Sequence, residues 1–420
     1  MRKIMVSAFA LVAALAVAVS TTTAAANETG VTARTIKIGG TYPLTGPASL
    51  YAPIPGAMKA YFSYINARRG PDGKRGVGGR QIVFTVYDDG YNPANTVQLT
   101  RKLVEQDKVF AVVGSLGTAN NVAIRPYLNS RKVPQILNAT GATIWGAETT
   151  KYPWTIGWQP PYSLEGKIYG QAIARNSPNA KIGVLYQNDE YGFDYLTGLK
   201  AGLGGKTSNI VGEEAYEVTA TSVATQVAKL RASGATVFVI FATPRATIQA
   251  YVIAKTLGWN PPVIYTNSVS GTDTFLTTAQ RAGAGALVNN TFTVQYAKDP
   301  ASPVWDDDAG MKLYRQVMSK YYPNGSNAAV QANSLNLYGV AVAHAFVQLL
   351  YKAGKNPTRA GLMQAARNWN EASPFLLPGN AQRTKGADQF PVSCEQIVKF
   401  TDGTFKAVSK LKCGSPRTGL

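Results

Sequence analysis

The sequence predicts an α/β protein built from two Rossmann-like lobes, each on a parallel sheet. Three features carry this prediction. Short apolar, β-forming runs recur, among them 109–113 and 236–241. Amphipathic stretches of helix length separate them. The alternation runs twice, with a turn-rich, aperiodic segment at 139–153 between the two series. Continuous apolar strands separated by helices argue for a parallel sheet covered on both faces.

In the first series 35–40 reads as a strand and 51–69 as a helix. A strand at 81–87, a helix at 93–106 and a nearly all-apolar strand at 109–113 follow. A helix at 118–130 and a short strand at 133–137 complete it. The second series opens with a helix at 161–176 and a strand at 181–186. It continues with a helix at 190–203, a strand at 210–216, a helix at 221–232 and a strand at 236–241. A helix at 245–257 and a strand at 263–265 close the alternation. Helices are then expected at about 304–321, 331–353 and 358–368, and a hairpin at 396–400 and 404–408 across Thr401-Asp402-Gly403.

The first residues set the compartment. Arg2 and Lys3 precede an apolar stretch from 4 to 19, and Ala24-Ala25-Ala26 ends it with small residues. That is the order of a secretory signal, and the run is short for a membrane span of about 20 residues. Cleavage after Ala26 leaves 394 residues with a net charge of +17, exported to an extracytoplasmic, periplasm-like space. In an oxidising compartment Cys394 and Cys413 are expected to form a structural disulfide.

Composition narrows the chemistry further. Two cysteines and one histidine exclude most catalytic metal sites, so no metal and no cofactor are expected. Lys and Arg number 42 against 23 acidic residues, but they are dispersed. The densest cluster, Arg68, Arg69, Lys74, Arg75 and Arg80, lies in a Gly-rich loop without the interleaved aromatics of a nucleic-acid footprint. It reads as a solvated surface facing an acidic envelope, with no nucleic-acid partner.

In open parallel sheets ligands bind beyond the carboxyl ends of the strands, against helix N-termini. The turns 41–47 and Gly114-Ser115-Leu116-Gly117-Thr118 occupy such places, although either also serves as ordinary strand-to-helix turn chemistry. Neither a P-loop nor a dinucleotide fingerprint is present. Asp88 and Asp89 are adjacent at a strand end and point to opposite faces, which argues against a paired-carboxylate site. His344 lies in an apolar helical stretch as a packed histidine. Asp306-Asp307-Asp308 lacks the glycine and distal glutamate of a calcium loop, and suits the start of the 304–321 helix.

At these turns the chain resembles the branched-chain amino acid (Leu/Ile/Val-binding) family of periplasmic solute-binding proteins of ABC importers. The carrying residues are Ile36-Lys37-Ile38-Gly39, Leu44-Thr45-Gly46-Pro47, Gly56-Ala57 and Ile65-Asn66-Ala67. Tyr87-Asp88-Asp89 with Asn92-Pro93, Val113-Gly114-Ser115 and Asp189-Glu190-Tyr191-Gly192 continue the set through most of 35–410. The resemblance implies a type I binding-protein fold, with three segments crossing between lobes that close on a ligand by hinge motion. It implies one lobe from 35–153 plus about 290–370, and another from 154–289 plus about 371–420.

By position, the resemblance places Tyr51 over the ligand and Thr118 gripping its carboxylate, and the Ser115 hydroxyl of the strand-end turn is expected as a further ligand donor. Ala139 and Thr140 follow, or Thr143 if the register slips. The second lobe contributes Tyr191, Thr243 and Asn267. Amino-acid binders resemble one another in carrying a tyrosine and a glutamate at the last two positions, so Asn267 leaves a ligand ammonium without a charged partner. Further stretches, Tyr127-Leu128-Asn129, Val133-Pro134-Gln135, Ala139–Trp145, Gly157-Trp158-Gln159-Pro160 and Pro374–Gly379, resemble a branch associated with hydrophobic or aromatic acids. Trp145 and Trp158 either stack on such a ligand or pack between the lobes.

The implied function is capture of a small carboxylate, an amino acid or an aromatic or hydrophobic acid, by a monomer that presents its closed form to an ABC permease. A ligand-sensing receptor of the same fold is the alternative. A secreted hydrolase is the remaining one, and it has only His344 as a base.

Overall fold

In the computed structural model, which describes residues 28–416, two sheets carry the chain. The expected leader, 1–26, lies outside the described residues. The first sheet contains β1 (Thr35–Tyr42), β2 (Gln81–Asp88), β3 (Ala111–Val113), β4 (Gln135–Asn138) and β5 (Thr155–Gly157). Its strands are all parallel, in the order β2-β1-β3-β4-β5. Helices α1 (Pro53–Ala67), α2 (Pro93–Glu105), α3 (Thr118–Ser130) and the short α4 (Ile144–Ala147) belong to this lobe.

The second lobe begins with α5 (Tyr162–Asn176) and continues through α6 (Glu190–Leu203), α7 (Ala224–Ala232), α8 (Pro244–Thr256) and α9 (Asp273–Ala279). Its strands β6 (Ile182–Gln187), β7 (Ile210–Tyr216), β8 (Val237–Phe241), β9 (Val263–Thr266) and β10 (Thr291–Gln295) are parallel. The chain then returns to the first core with α10 (Ala309–Tyr321), α11 (Ala328–Gln331), α12 (Ser334–Lys352) and α13 (Arg359–Arg367). A small pair, β11 (Asn370–Glu371) with β12 (Gln382–Arg383), precedes the last crossing. The strands β13 (Cys394–Thr401), β14 (Thr404–Ala407) and β15 (Lys412–Cys413) rejoin the second sheet. The three crossings therefore lie after β5, after β10 and before β13.

Several expectations shift. The second sheet is mixed rather than purely parallel, because β13 adds antiparallel to β10 and β14 to β13. The chain leaves that sheet after Gln295 rather than near 290. Phe375, Leu376 and Val392 pack into the first core, although they lie in the stretch 371–420 that the resemblance gives to the second lobe. The helix expected from 331 is interrupted, since the Asn333 side chain accepts from Leu335 N–H and starts α12 afresh. Asp306–Asp308 precede α10 instead of opening it, and Asp308 caps it by accepting from Met311 N–H at 3.0 Å. The expected hairpin is present: Asp402 and Gly403 both have positive φ, as a two-residue turn between right-twisting strands requires. Cys394 and Cys413 are joined, tying β15 to β13.

The site depends on one close helix pair. Gly166 and Gly170 on α5 face Gly198 and Gly202 on α6, and a Cβ on any of them would meet the facing backbone. At Gly198 it would stand 2.2 Å from the carbonyl oxygen of Ser163, and at Gly170 2.3 Å from that of Leu199. The two backbones touch where four side chains are missing. This contact stacks Tyr162 on Tyr195, with ring centroids 4.4 Å apart, and sets Tyr191 edge-on to Tyr162 at 5.2 Å.

His344 is packed within α12 between the rings of Tyr61 and Phe375, at 5.8 and 5.4 Å. Burial holds its imidazole down to about 4, so it is neutral at pH 7.

The glycine contact gives a prediction whose sign rests on two magnitudes. Alanine is favoured over glycine in a helix interior by up to about 1 kcal/mol, whereas forcing a methyl into packed backbone costs roughly 1–3 kcal/mol. Gly198→Ala is therefore expected to lower the urea unfolding midpoint. Gly205→Ala, with nothing within 4 Å of the added Cβ, is expected to leave it nearly unchanged.

Candidate ligand-binding site

The strand ends of the two lobes face one another across a cavity of about 130 Å³. From the first lobe come Tyr51, ahead of α1, Tyr91, beyond β2, Gly117 and Thr118 at the start of α3, and Ala139 just past β4. The second lobe supplies Tyr191 after β6, Thr243 after β8, and Ser268 and Val269 after β9. Trp158, Gln159 and Tyr296 come from the crossings, Tyr162 from the start of α5 and Tyr338 from α12. This is the carboxyl-end geometry that parallel strands prescribe.

The expected residues divide into wall and support. Tyr51, Thr118, Ala139, Tyr191 and Thr243 line the cavity. Thr140 stands behind Thr118, their hydroxyls 2.6 Å apart. Ser115 is fully buried, and its Oγ accepts from Thr41 N–H at 3.0 Å, locking the β1 and β3 ends together. Thr143 ties the lobes instead of facing the cavity, since its N–H and hydroxyl both reach Asp194 Oδ2 at 2.9 Å. Asn267 is also behind the wall: its amide donates to the Tyr191 hydroxyl and its Oδ1 accepts from Ser270. Trp158 lines the cavity, with its indole N–H held by Gln382 at 2.8 Å. Trp145 does not, and packs against Arg125.

The start of α3 is shaped for an anion. Gly117 has φ of 100°, a conformation that lets the chain turn sharply into the helix. Asn121 braces the turn by donating to the carbonyls of Ser115 and Gly117, both at 2.8 Å. The first N–H groups of a helix have no intrahelical acceptor, and Thr118 brings that end to the cavity wall.

Much of the remaining wall is aromatic. Tyr51, Tyr91, Tyr162, Tyr191, Tyr296 and Tyr338 all reach the cavity, joined by Trp158. Burial holds these six phenols well above their ordinary range, so they act as neutral hydroxyls. Charged groups gather at one end. Burial, and then the charge of Asp299, push Asp273 up to about 7. Lys298 is spent on Asp308 Oδ1 and the carbonyl of Pro374, both at 2.7 Å.

Only part of this was legible. Tyr51, Thr118 and Tyr191 sit in turns with recognisable neighbours. Tyr91 follows Asp88-Asp89-Gly90 and holds a positive φ of 60°, which no local pattern announces. Tyr296 lies just past β10 and Tyr338 inside an apolar helix, where periodicity assigns a residue to the core and not to a cavity.

Behind the wall, Glu165 organises the second lobe. It is buried on α5 and accepts from Ser268 N–H at 2.7 Å, Ser268 Oγ at 2.6 Å, Tyr169 at 2.7 Å and Tyr195 at 2.9 Å. Burial pushes its carboxyl up against those donors. Glu395 on β13 is also buried, and its oxygens have no hydrogen-bond partner among the described residues. Burial, and then the charge of Glu165, push the Glu395 carboxyl well above its ordinary range. The clamp on Ser268 aims the next carbonyl, that of Val269, across the cleft, where the Tyr51 hydroxyl donates to it at 3.0 Å.

Comparison with known proteins agrees with this geometry. A family model described as periplasmic binding protein matches residues 35–404. A leucine-, isoleucine-, valine-, threonine- and alanine-binding protein of Pseudomonas aeruginosa is 28% identical over 170 residues, which is 40% of this chain and 43% of that protein. The alignment thus spans less than half of the relative. Among solved structures, a branched chain amino acid ABC transporter protein from Thermus thermophilus with bound valine superposes with a TM-score of 0.77 at 18% identity. That match covers 91% of this chain and 97% of the other. A fatty acid ABC transporter substrate-binding protein from Thermomonospora curvata gives 0.72 at 22% identity, covering 92% and 95%. At such identities the likeness is one of fold.

The bond from Tyr51 to Val269 spans the two lobes, which makes its contribution measurable. A single hydrogen bond contributes about 0.5–1.5 kcal/mol, so Tyr51→Phe should shift the balance from closed toward open by roughly two- to tenfold. Interlobe distances between spin labels would report it. Glu165→Gln, which loosens the clamp from behind, should shift the balance in the same direction, and an unchanged distribution in both variants would show that this chain of bonds does not hold the lobes together.

Proposed function

The chain belongs to the periplasmic binding protein family, and we propose that it is the extracytoplasmic solute-binding protein of an ABC importer, taking a small carboxylate between its lobes. The observation that carries this reading is the cavity itself: strand ends of both lobes, and the amino end of α3, converge on one space that neither lobe encloses alone. A ligand held there touches both halves only when they are together. That differential affinity draws the population to the closed form, which a membrane permease then recognises.

On this reading the leader is removed after Ala26, the mature chain is a monomer in an oxidising compartment, and it binds without turning its ligand over. The lobes are 35–153 with the later helices, and 154–289 extended through β10 with the C-terminal strands. Thr118 and the α3 N-terminus receive the carboxylate, with Ala139 beside them and Thr140 behind. Tyr51, Tyr191 and Thr243 complete the grip, while Ser115, Thr143 and Asn267 hold the wall in place.

The ligand body is small and apolar. A volume near 130 Å³ is close to the ~150 Å³ of a cavity that holds a benzene-sized molecule. Asn267 is engaged by Tyr191 and Ser270, so it does not stand ready for an ammonium. Six neutral tyrosines and Trp158 suit a single aromatic or hydrophobic ring bearing an acid. A sensing receptor of the same fold would share this site and differ only in its membrane partner.

A thermal-shift series on residues 27–420 with aliphatic amino acids, benzoate-type and cinnamate-type acids tests the class. A ligand at 100 times its dissociation constant adds about 2.7 kcal/mol of stability. Midpoints raised by aromatic acids alone support the proposal, while a rise with leucine-like amino acids sends it back to zwitterions.

The pH dependence separates the same two classes by sign. Asp273, held up to about 7, is neutral below that pH and anionic above it. Titration calorimetry of an anionic ligand should therefore show affinity falling as pH rises from 6 to 8. A zwitterion with its ammonium near Asp273 would gain affinity over the same range. Asp273→Asn should flatten either trend.

A further inference from the structure

Tyr91 lines the cavity from a conformation that a tyrosine disfavours. The Asn92 N–H donates to the Asp89 carbonyl at 3.0 Å, and the two residues between them, Gly90 and Tyr91, have φ of 59° and 60°. Two consecutive left-handed residues make a turn in which glycine, asparagine and aspartate dominate. A glycine fits it freely, whereas the Cβ of a tyrosine is crowded there. Strain of this kind persists only where the surroundings over-determine it, and it gathers at ligand clamps.

The surroundings here are Asp88 and Asp89, which do not converge on a common site but each hold backbone. Asp88 Oδ1 accepts from Gly90 N–H and Leu44 N–H, both at 3.0 Å, tying the turn to the segment that follows β1. Asp89 is fully buried, and its Oδ1 accepts from Tyr91 N–H at 2.9 Å. Its Oδ2 accepts from the Thr96 hydroxyl of α2 at 2.8 Å and the Asn120 amide of α3 at 3.3 Å. Three segments at the cleft are thus spent on placing one side chain.

That side chain meets both lobes. Its ring lies against the turn at Gly117, where an added Cβ would stand 2.8 Å from Tyr91 Cε2, and so closes the cavity beside the α3 amino end. Its hydroxyl crosses to the Gln187 side chain on β6. Gln187 is braced from two sides, its amide donating to Asp189 Oδ2 at 2.6 Å and its Oε1 accepting from the Tyr216 hydroxyl at 3.1 Å. Tyr216 in turn accepts from Thr243 N–H at 3.0 Å, and Thr243 is cavity wall. A phenol that only filled space would need neither the strained turn nor a braced partner across the cleft.

We infer that Tyr91 is a specificity-determining residue of this cavity: its ring limits an acid seated at the α3 turn to a single ring, and its hydroxyl latches the lobes over it. The first half rests on the proposed reading of the cavity as an acid site, and the second on the interlobe contact alone.

Two variants separate ring from hydroxyl. Tyr91→Gly suits the left-handed turn, so the backbone keeps its course and only the side chain is lost, while Tyr91→Phe keeps the ring. The readouts are titration calorimetry with benzoate and 2-naphthoate, and spin-label distances between the lobes without any acid. In Tyr91→Gly the affinity for 2-naphthoate relative to benzoate should rise at least about tenfold over the parent. Tyr91→Phe should keep the parent's ratio, weaken both acids by about two- to tenfold, and move the acid-free distances toward the open form. An unchanged ratio in Tyr91→Gly or unchanged distances in Tyr91→Phe overturns the inference, and a lowered melting midpoint with neither change would make Tyr91 a packing residue. If the parent takes up neither acid, the acid reading of the cavity fails and the role of the ring with it, while the distances still decide the latch.

Discussion

The backbone contact between α5 and α6 is the constraint from which the second half of the site follows. Four glycines let two helices meet where side chains would hold them apart. The first turn of each helix then faces the other, so Tyr162 and Glu165 on α5 lie against Tyr191 and Tyr195 on α6. A wider spacing would leave Glu165 without the Tyr195 hydroxyl. Burying a carboxylate is costly unless its oxygens are filled. The helix spacing is thus what makes Glu165 tolerable, and Glu165 is what holds the Ser268–Val269 turn.

From that turn the consequences cross the cleft. Ser268 is gripped by both its N–H and its hydroxyl, which fixes the direction of the Val269 carbonyl, and Tyr51 of the other lobe donates to it. Thr143 adds a second link to Asp194 on α6. Each link is a net contribution of order 1 kcal/mol, because opening returns both partners to water. These two links, three hydrogen bonds in all, bias the balance without fixing it. A ligand with micromolar affinity has about 8 kcal/mol of binding free energy, and the part of it realised only when both lobes touch the ligand is what shifts the balance toward closure.

How much was legible follows the range of the signals involved. Parallel strands and their covering helices are written in local hydrophobicity, and both lobes could be read from it. Strand-end turns such as Gly117-Thr118 carry local chemistry and were found. The mixed character of the second sheet was not, because β13 reaches β10 from about 100 residues away and a strand that pairs antiparallel looks like any other. The short β5 and the α9 helix were hidden in segments with turn residues. The glycine spacing on α5 and α6 was visible in principle: Gly166-x-x-x-Gly170 and Gly198-x-x-x-Gly202 repeat one interval. Reading it as a contact requires knowing that the two helices are neighbours. Asn267 shows the same limit, since position alone suggested a ligand contact whereas its amide is used by Tyr191.

The polarity of the parallel first sheet explains how one lobe carries two unlike surfaces. Every strand sends its carboxyl end to the cavity and its amino end to the opposite, basic pole, where Arg68, Arg69, Lys74 and Arg75 are exposed ahead of β2, so ligand chemistry and surface charge are separated by a strand's length. At about 0.15 M salt the Debye length is near 8 Å, well short of that separation. The basic pole therefore neither attracts a carboxylate away from the cleft nor shifts the groups that line it. The cavity can stay a nearly neutral chamber of tyrosines, where the α3 N-terminus is a weak positive end and Asp273 the nearby group that changes charge near pH 7. In such a chamber a single negative charge is felt strongly, and on the proposed reading selectivity for an acid rests on where its body can fit rather than on a matching cation.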